Sequence, residues 1–322
     1  MSRRNLLLIR WAVFVVACGF LWLRITRQQS KHDLWSEWLS GMDHVPLWSV
    51  LVVFLLMLVN WGIEAWKWRW LMNHVERMTF LRAFKATIAG TSIGIITPNR
   101  VGEFAGRVLF LAPENRWQGG FATALGSIAQ FVVTLVVGGA SLGLQRISAL
   151  GSNGVNEFET VGSLALIALV AGGAVVLFFF PGLLRQLFLM VPFLKRWESA
   201  SSILEGYRRA ELIRVMGLSA TRYMVFAFQF ILVLSVVADI PFAESVLVVP
   251  IIYLLTTLVP TVMLTELGVR GSVAVALFDQ LGSPGAVLLA SFLVWLINIA
   301  TPALAGSLIL LFARIRSARD PQ

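Results

Sequence analysis

Residues 97–107 are Thr97-Pro98-Asn99-Arg100-Val101-Gly102-Glu103-Phe104-Ala105-Gly106-Arg107, a polar stretch inside the apolar segment 83–112. The apolar segment 243–280 is interrupted in a similar way, first by Pro260 and then by Glu266 and Arg270. In lipid, backbone that leaves a helix must be buried in protein or face water, because the hydrocarbon offers it no hydrogen bonds. Each segment is therefore predicted to form a re-entrant helical hairpin, with two short helices around a polar break.

The composition is that of a membrane protein. Of 322 residues, 58% are hydrophobic and 13% are charged, and the mean hydropathy is +0.81; soluble domains carry roughly 25% charged residues. Several apolar runs have about the length that crosses a bilayer, roughly 20 residues. The predicted full spans are 5–25, 46–66, 119–144, 160–181, 213–238 and 284–313. The fold class is thus an all-α polytopic membrane protein, a single membrane domain over 1–322 with about six full spans and two re-entrant hairpins.

The net charge of +9 is explained by orientation in the membrane rather than by nucleic acid, which is excluded as a partner. In membrane proteins, Lys and Arg are enriched in the cytoplasmic loops next to the ends of the spans. With the N-terminus inside, 17 Lys and Arg fall in cytoplasmic segments and 4 in outside segments. We therefore expect both termini in the cytoplasm of a bacterial cell, with the chain in its inner membrane. The segments 26–45, 145–159 and 239–244 are expected outside.

The two halves have the same layout. Spans begin at 5, 46 and 119 in the first half and at 160, 213 and 284 in the second, and the breaks at Pro98 and Pro260 are 162 residues apart. The charge rule places the two hairpins with opposite openings. Residues 1–150 and 160–313 are therefore predicted to be inverted-topology repeats, the architecture of transporters whose substrate site lies between the repeats.

The segment 182–212 joins the halves. It mixes Leu183, Leu187 and Phe193 with basic residues, a pattern typical of an interfacial amphipathic helix on an anionic inner leaflet. It is predicted to be a cytoplasmic interfacial linker. A solvated loop is the alternative.

In the first polar stretch, Thr97 is predicted to cap a helix whose first residues are Pro98 and Asn99. Arg100 would lie in its first turn, near the positive end of the helix dipole. Two further groups share this helix. Gly102 and Gly106 are spaced for close approach of another helix, and Arg100, Glu103 and Arg107 are spaced to share one face.

In the second stretch, Pro260 breaks the helix and Thr265 is predicted to cap a new one beginning at Glu266. Glu266 and Arg270 are four residues apart on one face, and Gly268 is predicted to allow close packing. Ionisable groups within membrane segments are costly and are taken as functional by default.

Two interpretations of these charges stay open. Arginines and helix N-termini from both stretches would form an anion site suited to a lipid phosphate, because guanidinium matches phosphate in a fork. That site comprises Arg100, Glu103, Arg107, Glu266 and Arg270. Alternatively, Arg100 with Glu103 and Glu266 with Arg270 are salt bridges that only hold the hairpins together.

Other candidates are weaker. Glu64, beside several Trp and basic residues, is assigned to an interface belt, and Arg222 is expected to extend to the headgroups. The three His have no metal-ligand spacing, and there is no nucleophile elbow or P-loop. We predict no catalytic residue, no metal and no cofactor, and transport without ATP.

The two polar stretches resemble those of the family named for the transmembrane region of lysylphosphatidylglycerol synthase, also called the flippase-like domain. Members typically show Pro-x-Arg-x-Gly-Glu-x-x-x-Arg in one half and Pro…Gly-x-Arg in the other. This chain has Pro98 to Arg107 and Pro260 to Arg270, but Thr261 to Thr265 and Gly271 depart from the usual second pattern. The resemblance covers nearly the whole chain. Since few residues follow the last predicted span, we expect no aminoacyl-transfer domain.

The resemblance implies movement of a lipid between leaflets. We expect a lipid flippase or transporter for a phospholipid or polyprenyl-phosphate-type lipid, either scrambling or driven by protons or membrane potential. The alternatives are an intramembrane lipid-phosphate enzyme and a non-transporting scaffold. The expected partners are membrane lipids with an anionic or phosphate-bearing headgroup, together with a second copy of the chain or a separate lipid-modifying enzyme.

Overall fold

The computed structural model describes residues 31–43, 45–95, 97, 100–149, 156–259 and 263–312, and every regular element in these ranges is helical. The helices are α1 (Lys31–Asp43), α2 (Leu47–Met72), α3 (Phe80–Ile95), α4 (Gly102–Val108), α5 (Arg116–Ser148), α6 (Glu157–Phe179), α7 (Pro181–Leu189), α8 (Arg209–Val237), α9 (Phe242–Leu258), α10 (Met263–Leu277), α11 (Pro284–Trp295) and α12 (Thr301–Phe312). Short helical turns cover Pro113–Asn115, Pro192–Lys195, Glu198–Ser201 and Ser202–Gly206, and a π turn, Leu296–Ala300, joins α11 to α12.

Five helical stretches in the described ranges are long and apolar enough to cross a membrane. They are Leu47–Met72, Pro113–Ser148, Glu157–Phe179, Arg209–Val237 and Pro284–Phe312. The all-helical, polytopic prediction is thus confirmed, and each stretch overlaps a predicted span. The predicted span 5–25 lies outside the described residues. The helix α2 runs six residues past its predicted end at 66, because Lys67 pairs with Glu64 inside the bundle instead of ending the helix.

Two helical hairpins lie within the bundle. The first consists of α3 and α4, and its open end is closed where Arg82 donates a hydrogen bond to the carbonyl of Phe110. The second consists of α9 and α10, and its open end is closed where Gly282 approaches Ile240. With a rise of about 1.5 Å per residue, none of their helices exceeds roughly 26 Å, less than the ~30 Å core of a bilayer.

The second hairpin differs from its prediction in one respect. The helix α10 begins at Met263 and runs without a break through Glu266 and Arg270, so these charges do not interrupt it. Thr265 consequently lies inside the helix and is not its cap. Charged residues are compatible with an unbroken helix here because Glu266 and Arg270, four residues apart, form an ion pair on the same face.

The loops separate into two ends of the bundle. At one end, Tyr207 donates a hydrogen bond to Leu71 O at 2.7 Å and the Ala112 amide donates one to Glu76 at 2.9 Å. This basic end holds Arg69, Arg77, Arg82, Arg116, Arg185, Lys195, Arg196, Arg208, Arg209 and Arg214. The opposite, acidic end holds Asp43, Glu157, Glu159, Asp239, Glu244 and Asp279. The first hairpin opens towards the basic end and the second towards the acidic end.

The two halves of the chain pack against each other reciprocally. The helix α3 packs on α12, where Ser92 donates to Ala303 O at 2.6 Å. The helix α9 packs on α5, where Ser141 donates to Leu247 O at 2.9 Å. The first arm of each hairpin therefore lies against the last long helix of the other half. Between them, α2 packs on α8.

The segment 26–45 was expected to be an outside loop, but its residues 31–43 form the helix α1. Glu37 accepts a hydrogen bond from the Gly285 amide at 3.1 Å, and the rings of Trp38 and Phe292 are 5.5 Å apart. These contacts hold α1 against the start of α11, and no apolar run in the sequence signals them.

The segment 182–212 is helical over much of its length and is not a solvated loop. Leu184 and Leu204 are buried against the bundle, while Leu183, Leu187 and Phe193 are exposed. An exposed apolar surface is also present on α6, whose Phe158 is 90% exposed. Large apolar side chains that face outward from a folded bundle are what a lipid environment requires.

Candidate functional site

The tip of the first hairpin is built by Thr97. Its hydroxyl accepts a hydrogen bond from the Gly102 amide at 2.7 Å and donates to Gly94 O at 3.1 Å. The helix α4 begins at Gly102, and the predicted helix start at Pro98 and Asn99 lies outside the described residues. Arg100 precedes the helix with a φ of 56°, a left-handed conformation that is uncommon for a residue with a side chain.

Glycines set the distance between α3 and α4. A Cβ at Gly106 would lie 2.6 Å from the Cα of Gly90, and one at Gly102 would lie 2.4 Å from Ile93 O. The two helices are therefore in backbone contact, which side chains larger than hydrogen would prevent. By contrast, a Cβ at Gly268 would meet no other atom within 4 Å among the described residues beyond the backbone of its own helix, so these residues do not show the close packing expected there.

Because α3 and α4 are in close contact, Arg107 on α4 reaches the helix α2. Its guanidinium lies 2.7 Å from Glu64 and 3.2 Å from Glu103, and the side chain is only 5% exposed. Glu64 is itself 2.7 Å from Lys67 and 3.4 Å from Arg222. The first hairpin is thus fixed to α2 and α8 by the buried Glu64 carboxylate, which pairs with three cations.

Arg100 joins the two hairpins. Its guanidinium lies 3.7 Å from Glu103 of its own hairpin and 3.4 Å from Glu266 of the other. Glu266 also pairs with Arg270. Instead of two separate internal salt bridges, the structure has one chain of charges through both hairpin tips.

This charge network has a formal excess of two positive charges. Within the described residues it comprises five cationic and three anionic side chains. Its members are Glu64, Lys67, Arg100, Glu103, Arg107, Arg222, Glu266 and Arg270. An uncompensated buried charge costs several kcal/mol, so the arrangement favours an anion that would balance it.

A cavity of about 470 Å³ lies beside the network. Its volume is in the range of roughly 300–1,000 Å³ that small-molecule sites occupy. Arg100, Arg222, Glu266 and Arg270 supply its charged wall. The remaining lining residues are polar or aromatic in the main and include Asn60, Trp61, Gln130, Phe131, Thr134, Tyr223, Phe226, Tyr253, Thr256, Thr257 and Asn298.

Arg270 is the cation best placed to bind a ligand in this cavity. Its side chain is 6% exposed, and its Nε and Nη1 have no hydrogen-bond acceptor among the described residues. The guanidinium carbon lies 5.5 Å from the ring centre of Phe226 and 5.6 Å from that of Tyr253. The aromatic rings stabilise the cation without using its N–H groups, which leaves these donors for an anion.

Of the predicted site residues, the structure brings Arg100, Glu103, Arg107, Glu266 and Arg270 into one network, but Glu103 and Arg107 do not line the cavity. Two assignments were wrong. Glu64 is buried and is not part of an interface belt, and Arg222 turns inward to Glu64 and Gln130 instead of towards headgroups. The signal was present: both are ionisable groups within apolar spans.

The fold and the site define a polytopic, all-helical membrane protein with a cation-rich cavity to which both hairpins contribute. More particularly, the chain belongs to the family described as the lysylphosphatidylglycerol synthase TM region, whose model matches residues 8–312. This membership confirms the resemblance seen in the two polar stretches. No curated protein matches the chain.

Proposed function

We propose that this protein moves a phosphate-bearing lipid between the leaflets of a bacterial inner membrane. The observation that carries the proposal comes from the described residues, among which Nε and Nη1 of Arg270 have no acceptor at a cavity whose charge network has two excess positive charges. The headgroup would enter the cavity and its phosphate would bind Arg270 and Arg100. The acyl chains would stay in lipid.

The two hairpins would act as re-entrant elements of inverted repeats. Support comes from their opposite openings and from the reciprocal packing of α3 on α12 and of α9 on α5. Arg100 and Glu266 meet between the tips. A phosphate that binds Arg100 would compete with Glu266 for it, so binding would loosen the contact between the hairpins. Such coupling is how a transporter of this architecture would change its access from one side to the other.

The basic end would face the cytoplasm, as the positive-inside rule requires. Single cysteines in a Cys18→Ser background test this orientation. Ser36 on α1 and Ser199 in the linker are both exposed, so each is suited to labelling. In intact cells an impermeant thiol reagent should label Ser36→Cys and leave Ser199→Cys unlabelled until the cells are lysed. The opposite pattern would contradict the orientation.

Reconstitution into liposomes tests the function itself. Lipids that carry a fluorophore on the acyl chain are added, and reduction by an impermeant agent reports the fraction in the outer leaflet. Losing a charge-assisted contact to phosphate costs roughly 1.5–3 kcal/mol, about ten- to a hundredfold in affinity. Arg270→Gln should therefore slow translocation by about that factor, and Arg270→Lys should restore it only in part, because lysine lacks the fork.

Arg214→Gln is the matched control, because Arg214 lies over the ring of Trp70 at the basic end, away from the cavity. It should leave translocation unchanged. Chemical conversion of the labelled lipid would instead support an intramembrane lipid enzyme. If the labelled lipid is neither translocated nor converted, the result would support a scaffold. Normal translocation by a well-folded Arg100→Gln, Arg270→Gln double variant would refute the proposed site.

A further inference from the structure

The π turn Leu296–Ala300 presents Asn298 to the cavity. Single π turns within α-helices are rare and frequently occur at functional sites. This one is stabilised from α2, where Trp61 donates a hydrogen bond from Nε1 to the Asn298 carbonyl at 3.1 Å. The turn and the cavity wall are therefore built together.

The side-chain amide of Asn298 has a fixed direction. Its Nδ2 donates to Val294 O at 3.2 Å, and the residue is 1% exposed. The oxygen, Oδ1, has no hydrogen-bond partner in the part of the chain that the structure describes. A buried acceptor without a donor is costly, so the group requires a donor from elsewhere.

Asn60 repeats this feature on α2. It is 2% exposed, it lines the same cavity, and its Oδ1 also lacks a partner among the described residues. The cavity thus has unpaired donors on Arg270 and unpaired acceptors on two asparagines. A bare phosphate would satisfy only the donors.

We infer that the cavity selects a headgroup in which the phosphate is joined to a group with N–H or O–H donors, such as a primary amine or a hydroxyl, and that Asn298 determines this selectivity. This inference rests on the proposed function and deepens it. Phosphate binds Arg270, and the donor end of the headgroup binds Asn298 Oδ1 and Asn60 Oδ1. A quaternary ammonium keeps the charge of an amine but has no donor, so it leaves both oxygens unpaired.

The test is a methylation series in proteoliposomes. Phosphatidylethanolamine, its N-methyl and N,N-dimethyl forms and phosphatidylcholine share one phosphate and one positive charge, but their N–H donors fall from three to none. With one acyl-chain fluorophore throughout, wild-type protein should move phosphatidylethanolamine about ten- to a hundredfold faster than phosphatidylcholine, the range expected for one hydrogen bond from a charged donor. The N,N-dimethyl lipid should be translocated at nearly the rate of phosphatidylethanolamine, because its one N–H donor is enough for a hydrogen bond to Asn298.

Variants separate hydrogen bonding from size. Asn298→Leu keeps the bulk and removes one of the two acceptors, so the ratio between the two lipids should fall towards one, and it should reach about one when Asn60→Leu is added. Asn298→Asp keeps an acceptor and should retain the preference. Asn73→Leu, an exposed change at the end of α2, is the matched control and should behave as wild type. A ratio that persists in Asn298→Leu would assign selectivity to size and overturn the inference.

A binding measurement distinguishes failure of the inference from failure of the function. Dihexanoyl forms of the four lipids are added to detergent-solubilised protein, and the shift in melting temperature is recorded. If no lipid is moved but the ethanolamine form stabilises wild type more than the choline form, and Asn298→Leu reduces the difference, the selective site stands without transport. Equal translocation and equal stabilisation by all four lipids would overturn the selectivity and leave the transport proposal intact.

Discussion

The two hairpins have the same layout but opposite packing. In the first, α3 and α4 touch through the backbones of Gly90 and Gly106, and Arg107 is held by two carboxylates. In the second, as far as the described residues go, Gly268 has open space beside it, and Arg270 has one carboxylate and two unpaired nitrogens.

The difference indicates a division of roles. Both terminal nitrogens of Arg107 pair with Glu64 and Glu103, and among the described residues only its Nε lacks a partner, so Arg107 is suited to a structural role that fixes the first hairpin to α2. Arg270 has donors to spare and an open neighbourhood, so it is suited to bind a ligand that comes and goes. Both arginines are four residues after a glutamate, and local spacing alone does not tell them apart.

The largest expected effect comes from replacing Arg107 and Arg270, each in a separate variant, with glutamine. Arg107→Gln removes a partner of two carboxylates, Glu64 and Glu103, and should destabilise the fold by about 3–5 kcal/mol, the range for breaking a buried ion pair. Arg270→Gln leaves Glu266 with Arg100 and also removes a buried cation in excess, so it should cost clearly less than Arg107→Gln. The free energy of unfolding in mixed micelles, compared with that of wild type, measures both changes in stability.

Adding Glu103→Gln to Arg107→Gln should recover part of the lost stability, because fewer negative charges then lack a partner. Equal destabilisation by Arg107→Gln and Arg270→Gln would remove the distinction between a structural and a binding arginine.

The next effect concerns the glycines. Gly106→Ala places a Cβ at 2.6 Å from the Gly90 backbone, and overpacking of this kind costs about 1–3 kcal/mol. Gly268→Ala is the matched change in the second hairpin, where the space is open, and should stabilise α10 by about 0.5–1 kcal/mol. The two melting temperatures should therefore move in opposite directions, and a shared direction would contradict the difference in packing.

The smallest effect lies at the base of the first hairpin. Burial would raise the pKa of Glu76, but the hydrogen bond from the Ala112 amide and the Arg82 guanidinium outweigh it and lower the pKa of this carboxyl. A lowered pKa means that Glu76 stabilises the fold above its unfolded value of about 4.3. This stabilisation is lost as the pH falls through the folded pKa.

Acidification should therefore cost wild type about 0.5–1 kcal/mol more than it costs Glu76→Gln, in keeping with a partly exposed ion pair. Unfolding midpoints in detergent on either side of the unfolded pKa measure this difference. An identical pH dependence in the two proteins would show that Glu76 does not help to close the hairpin.

Local features of the sequence determined the helical framework. The length of the apolar runs and the scarcity of charge predicted the spans from residue 46 onward, and Pro98 and Pro260 predicted the two breaks. These features depend on residues close together in the chain. Each helical hydrogen bond joins residues only four positions apart, and lipid tolerates only apolar surface. The inverted repeat stays a prediction that the packing of the helices supports.

Only the tertiary structure decided which charges meet. Glu64 and Arg107 are 43 residues apart in sequence, and Asn298 meets Trp61 across 237 residues. Such pairs depend on how α3 approaches α4 and on how α11 and α12 pack against α2, which no local pattern specifies. Spacing placed Arg107 and Arg270 in equivalent positions, and the surrounding helices, one set in backbone contact and the other around a cavity, gave them different chemistry.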